Sequence, residues 1–173
     1  MKETLIDLKT RRSCRRYEAQ QITDEELNAV LEAGTYAPTG HGTQSPVMVV
    51  VQEKELRDRL SAVNAAVMGA KNDPFYGAPT AVIVFADTAQ PTGRQDACLV
   101  LGNLMNAAHA LGLGSCWINR AREMFEMPEL ADLRSAWGLP ESMEGMGICV
   151  LGYIPEGVTM PCKARKEGYV IRA

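Results

Sequence analysis

Histidine is nearly absent from this chain: His41 and His109 are the only two among 173 residues. The five cysteines (Cys14, Cys98, Cys116, Cys149 and Cys162) are an odd number at scattered positions, with no Cys-x-x-Cys pair and no Cys/His spacing of the kind zinc takes. A metal centre or iron–sulfur cluster is therefore not expected, and the thiols read as small buried hydrophobes. Long apolar runs are missing too. The segment from Ala78 to Ala86 is strand-sized and far too short to span a bilayer. The opening Met1-Lys2-Glu3-Thr4 is polar, without the apolar region of a signal peptide, which predicts a cytoplasmic protein with no membrane partner. No zinc-finger, RNP or basic-helix pattern occurs, so nucleic acid is not an expected partner. No Gly-x-Gly-x-x-Gly follows a first strand, which excludes a dinucleotide-binding Rossmann domain. Gly112-Leu113-Gly114 lies at the wrong end of its helix to cradle a phosphate.

What is present fits one globular domain over residues 1–173, with 46% hydrophobic and 23% charged residues and a net charge of −3. Thr23-Asp24-Glu25-Glu26 reads as a capping box opening a helix with Leu27, Val30, Leu31 and Gly34 on one face, bounded by Pro38. Val47–Val51 is a continuous apolar run, predicting a strand buried on both faces. A helix is expected from Glu53 to Met68, then a second buried strand from Pro79 to Ala86. Arg94–Leu111 carries the strongest helical pattern, with Cys98, Leu101, Leu104, Met105, Ala108 and Leu111 on one face; a helix apolar nearly all round belongs in a core or a subunit interface. Ser115–Asn119 reads as a short strand, followed by a polar helical region through Trp137 with Pro128 in a first turn. Gly147–Tyr153 is the last central strand, and the tail from Pro155 to Ala173 has no core pattern and is expected to pack on a partner subunit. Helices first and strands alternating with helices afterwards give a layered α/β or α+β domain.

Four polar segments remain. Arg11-Arg12-Ser13-Cys14-Arg15-Arg16-Tyr17 places four guanidiniums within seven residues. They repel one another unless an anion or acidic neighbours neutralise them, and arginine matches phosphate oxygens in a bidentate fork. Such a run by itself is more often a solvated basic turn. The loop from Ala37 to Pro46 offers two glycines for close backbone approach, with hydroxyl and amide side chains for hydrogen bonds. Gly112–Asn119 sets a tryptophan beside small residues, and Lys163-Ala164-Arg165-Lys166 forms a second basic group near the C-terminus. A phosphate at one end, a flat heteroaromatic ring at the other and a hydroxylated chain between would use all four, which describes FMN.

Together RRSCRRY, APTGHGTQ, GLGSCWI, VLGY and KARK resemble the nitroreductase family of FMN-dependent oxidoreductases driven by NADH or NADPH, from about residue 4 to the C-terminus. The resemblance implies an α+β fold of three α/β/α layers, with a central mixed sheet flanked by helices. It also implies an intertwined homodimer holding FMN at the subunit interface. Carried over by position, Arg11, Arg12, Ser13 and Arg15 match the first FMN-binding segment, with Arg11 and Arg15 reaching the phosphate or the pyrimidine edge. Pro38, Thr39 and Gln44 match the loop that a second subunit contributes to the ring and ribityl chain. Asn64 sits where the family often places an amide near the ring. Ser115, Trp117 and Asn119 would lie near the ring and substrate pocket, and Lys163 and Arg165 match a Lys-x-Arg pair closing on the phosphate. Where the family's loop usually reads close to Ala-Pro-Ser-x-x-Asn-x-Gln-Pro-Trp, this chain has Thr39, Gly42 and Ser45-Pro46.

The expected activity is ping-pong transfer from NAD(P)H to nitroaromatics, quinones or related small-molecule acceptors, with the cofactor carrying the difficult step and no side chain named as catalytic. His41 is expected to be a solvated turn residue, and Cys14, Cys116 and Trp117 packing residues. The competing readings are a flavin reductase, dehalogenase or flavin-cleaving enzyme on the same fold, a non-catalytic flavin- or anion-binding module, and an interaction protein whose arginines meet an acidic partner.

Overall fold

The computed structural model describes residues 2–173; Met1 lies outside them. Four strands and six helices are introduced in chain order: α1 (Glu3–Thr10), α2 (Asp24–Thr35), β1 (Val47–Val51), α3 (Lys54–Met68), β2 (Thr80–Asp87), α4 (Gly93–Ala110), β3 (Gly114–Ile118), α5 (Ala121–Phe125), α6 (Ala131–Ala136) and β4 (Met143–Gly152). Short 3-10 turns occupy Gly40–Gly42 and Pro128–Leu130. The helix starts follow from local chemistry. Thr23 and Glu26 form the reciprocal capping box at α2, and the Glu53 carboxylate accepts from the backbone of Glu55 and Leu56 at the head of α3. At its other end α3 stops on Gly69, whose φ of 64° is the left-handed conformation that a side chain would resist.

The sheet runs β1-β2-β4-β3, and every pairing between these strands is antiparallel. The parallel element of the expected mixed sheet reduces to one isolated bridge, Ser13 to Ser115, because the 11–17 segment meets β3 at a single position. Side-chain alternation along β2 and β4 separates two cores. Ala81, Ile83, Phe85, Ile148 and Val150 face α3 and α5, packing on Leu60, Val63, Met124 and Phe125. Val82, Val84, Ala86, Cys149 and Leu151 face α2 and α4, packing on Val30, Leu101, Leu104 and Ala108. These are the three layers expected, with helices on both faces of one sheet.

Three expectations need correction. β1 is an edge strand, half-buried except at Val51, and so is not covered on both faces; β2 and the end of β4 occupy that central environment. On α4, Leu101, Leu104 and Ala108 are buried as expected, but Cys98 is only half-buried and Leu111 caps the helix with 43% of its surface exposed. The last strand begins at Met143, four residues before the glycine that had marked it, because Gly145 fits against the backbone of Ala121 where a Cβ would lie 2.8 Å from a carbonyl oxygen.

Two regions are only partly covered within the chain: α1, and the tail, which packs Tyr153, Ile154 and Met160 on the two cores. α1 buries none of its residues, leaving Leu5, Ile6 and Leu8 about half exposed, and it is tethered to α4 by a 2.8 Å hydrogen bond between Thr10 Oγ1 and His109 Nε2. The tail beyond Gly152 forms neither helix nor strand and ends with Tyr169, Val170 and Ile171 exposed.

Candidate cofactor site

Arg11 lies at the end of α1, its backbone N–H bonded to Asp7 O at 2.8 Å, so the arginine run starts where the helix stops. Three residues later the chain touches the sheet: Cys14 N–H donates to Ser115 O at 2.8 Å. Cys14 is fully buried, and the Tyr17 hydroxyl closes the turn on Cys14 O at 2.8 Å. The arginines between these anchors therefore project from a backbone fixed to β3.

The C-terminal tail returns over this segment. Together they form an open cleft of about 1160 Å³ lined by Arg11, Arg12, Ser13, Arg15 and Arg16 on one side and by residues 157–163 and Arg165 on the other. Six of the expected site residues, Arg11, Arg12, Ser13, Arg15, Lys163 and Arg165, thus line one cavity although they come from opposite ends of the chain. Among the described residues, none of the eight ion pairs involves Arg11, Arg12, Arg15, Arg16, Lys163 or Arg165. Arg12 Nη1 donates only to the carbonyls of Lys9 and Arg11, at 2.7 and 2.6 Å. Arg11 Nη1 and Arg12 Nε are out of water with no acceptor at all. A buried charged donor without an acceptor is costly, and a phosphate would satisfy both. The residues present fit an anionic group of that kind.

The other expected site residues stand apart from this cleft. Ser115 is 2% exposed and joined to Ser13 through the parallel bridge. Trp117 is half-buried against the α2/α4 core, its indole nitrogen 2.8 Å from where a Cβ on Gly147 would stand. Asn119 is exposed, and its carbonyl accepts from Asn64 Nδ2 at 2.8 Å. Asn64 is completely buried; Nδ2 also approaches Met124 Sδ at 3.0 Å, while Oδ1 has no partner. The amide is thus bound into the α3/α5 side of the molecule with one acceptor unused.

Pro38, Thr39 and Gln44 lie on the α2–β1 loop and do not line the arginine cleft. The loop is nevertheless sharply defined. Thr39 Oγ1 accepts from Gln44 N–H at 3.0 Å, and His41 and Gln44 have φ of 54° and 50°, unusual for residues with side chains. Gly42, in place of the family's asparagine, has φ of 67°, a conformation that glycine and asparagine both tolerate. His41 is exposed in this turn.

Cys116 faces the α3/α5 core, and burial pushes its thiol above the ordinary cysteine range, with Arg15 acting in the opposite direction. Cys149 is raised further, again chiefly by burial. Neither has the lowered pKa of a reactive thiol. Sequence reasoning missed Arg16 and the 157–162 stretch of the cleft, because a tail with no periodicity gives no sign of where it packs. It also passed over Asp96, although an acid preceding Ala97, Val100, Leu101 and Leu104 on an apolar face was a readable signal.

The fold and this constellation define an α+β protein with a large, open cationic cleft. The Nitroreductase family profile matches residues 8–72 and 66–153, and the chain belongs to that family. A Bacteroides fragilis nitroreductase solved with bound FMN superposes with a TM-score of 0.89 at 32% identity, over 100% of both chains. A second with bound FMN, from Desulfitobacterium hafniense, gives 0.88 at 25% identity over 100% of this chain and 99% of that one. An Archaeoglobus fulgidus protein provisionally named NADH dehydrogenase/NAD(P)H nitroreductase is 31% identical over 158 residues, covering 88% of this chain and 86% of its own.

Proposed function

We propose that the arginine cleft holds the phosphate of FMN and that the loop from Ala37 to Pro46 of a second copy completes each site, making the working unit a homodimer. The protein is an FMN-dependent NAD(P)H oxidoreductase of the nitroreductase type, a reading supported by the family match and by the FMN-bound neighbours. The observation that carries the residue assignment is the gathering of Arg11, Arg12, Arg15, Lys163 and Arg165 from both ends of the chain around one cleft, with none of them in an ion pair among the described residues and with Arg11 Nη1 and Arg12 Nε lacking an acceptor.

When bound, FMN supplies the electron transfer, accepting a hydride equivalent from nicotinamide and passing it to a nitroaromatic, quinone or related acceptor in ping-pong order. Arg11, Lys163 and Arg165 hold the phosphate by charge-assisted bonds. Arg12 or Arg15 brings positive charge toward the pyrimidine edge, where negative charge develops on reduction. Ser13 and Ser115, joined where the arginine segment meets β3, fix the depth of that segment on the sheet. Asn119 is the exposed residue left to border the ring side, since Asn64 is buried and Trp117 packs on the opposite face of the sheet, and Pro38, Thr39 and Gln44 supply contacts from the second copy. The exposed apolar face of α1 and the exposed end of the tail are the surfaces that dimerisation would cover. No helix among the described residues is long and apolar enough to cross a membrane.

The test is the spectrum and turnover of the purified protein. A yellow protein that releases FMN, not FAD, is bleached anaerobically by NADH or NADPH and is reoxidised by a quinone or nitroaromatic supports the reading. A colourless protein that takes up no FMN on reconstitution refutes it.

A further inference from the structure

We infer that Asp96 is a positioning residue that fixes the place of the loop carrying Thr39 and Gln44 on the domain, and thereby controls how tightly the second copy's cofactor is held. The inference rests on the function proposed above.

Asp96 lies in the first turn of α4 and is only 3% exposed. A carboxylate at that place ordinarily serves its own helix by accepting from free backbone N–H groups. This one turns outward. Oδ1 accepts from Gly40 N–H in the loop at 3.1 Å, and Oδ2 accepts from the Thr92 hydroxyl at 3.0 Å. Thr92 is the N-cap of α4, yet its own side chain caps nothing. No ion pair among the described residues includes Asp96, so a buried acid is retained on neutral donors alone. Burial of that kind is costly, and fold stability gives no reason for it when an apolar residue would continue the face of Ala97, Val100 and Leu101.

What Asp96 holds is the most contorted stretch of the chain. Within five residues, His41 and Gln44 adopt left-handed backbone angles alongside Gly42. Such strain persists only where surrounding contacts enforce it, and it clusters at ligand-binding segments. The loop's own bonds are Gly42 N–H to Thr39 O at 3.0 Å, Thr43 N–H to Gly40 O at 3.2 Å and Gln44 N–H to Thr39 Oγ1 at 3.0 Å. All are internal, so they fix the loop's curl and not its place. The Asp96–Gly40 bond ties that curl to the body of the domain. The approach is close enough that a Cβ on Gly40 would lie 2.1 Å from Thr92 Oγ1, so only glycine fits there without displacing the loop.

Three variants test the assignment, using FMN affinity from flavin fluorescence and hydrogen exchange of the loop amides. Asp96→Ala should weaken FMN at least tenfold and speed exchange at Gly40, while α4 stays protected. Asp96→Asn keeps one acceptor for Gly40 and can donate to Thr92, so it should restore affinity to within about threefold of wild type. A role that depended on charge would not be rescued in this way. Gly40→Ala, on a loop outside both cores, should weaken FMN with Asp96 intact, and adding Thr92→Gly should recover most of the loss. Wild-type affinity in Asp96→Ala, or failure of Asp96→Asn to rescue, overturns the inference while leaving the proposed function standing. A wild-type protein that binds no FMN overturns both.

Discussion

Removing the Asp73 carboxylate tests whether the α3–β2 connection is held by one half-buried polar hub. Asp73 accepts from Arg57 Nη2 at 2.6 Å, from the Ser61 hydroxyl, and from the backbone N–H groups of Phe75 and Gly77 at 2.8 and 2.7 Å. Arg57 is itself 8% exposed, with Nε bonded to Ala78 O at 2.9 Å and its guanidinium 5.4 Å from the Phe75 ring centroid. Asp73→Ala therefore loses four bonds and takes from a buried guanidinium its closest carboxylate. Breaking a fully buried pair from one side costs about 3–5 kcal/mol. The Asp73 side chain is 36% exposed, so solvent screens part of the loss, and Asp58 remains 3.0 Å from Arg57 Nη1. Together these reduce the expected destabilisation to about 2–3 kcal/mol. For a domain of this size that is a fall of roughly 5–10 °C in Tm, measured at fixed protein concentration.

The pH dependence has a definite sign. Burial alone would raise the Asp73 pKa, but hydrogen bonds from Ser61, Arg57 and the two backbone amides outweigh it and hold the group below the usual carboxylate value. The group's folded pKa is depressed, so its contribution is complete above the unfolded value of about 3.9 and is lost as pH falls through the folded one. Urea denaturation should therefore show Asp73→Ala closing on wild type as pH drops below about 4. A difference under about 0.5 kcal/mol at pH 7 would place Asp73 with ordinary surface substitutions and refute the hub.

Arg11→Ala and Arg165→Ala should each weaken FMN by roughly 10- to 150-fold, the value of one charge-assisted bond to phosphate. The two losses should fall short of adding in the double variant, because both groups act on one phosphate; strict additivity would place them on different ligands. Light scattering should report a homodimer, and dilution or mild denaturant that separates the subunits should release flavin in step; an FMN-loaded monomer would rule out the shared site.

The layers were readable in the chain because the two periods were clean. α4 is displaced by one residue from its expected Arg94–Leu111, and β2 by one from Pro79–Ala86. β1 was misplaced because Val47–Val51 is equally apolar whether the strand ends up central or at an edge; that depends on which neighbour it finds, which only tertiary structure decides. The site divides in the same way. Arg11, Arg12, Ser13 and Arg15 announced themselves as a local cluster, and the Lys163/Arg165 pair as a second one. That the tail would bring the second to the first was not in any local pattern. The loop with Thr39 and Gln44 was legible as a binding segment, but its anchor on Asp96, far along the sequence, was not.

The single bridge between Ser13 and Ser115 also has a consequence for biosynthesis. The arginine segment leaves the ribosome well before the strand that seats it. β3 in turn has its only full-length partner in β4, and the tail that closes the cleft follows β4. Contacts between such distant parts of a chain carry a loop-closure cost and form late. Capture of the anion therefore waits until β4 and the tail have been made. A chain interrupted anywhere before β4 would carry its cluster of positive charge without a seat for it, and cofactor uptake in the cell would report only on molecules extended past that point.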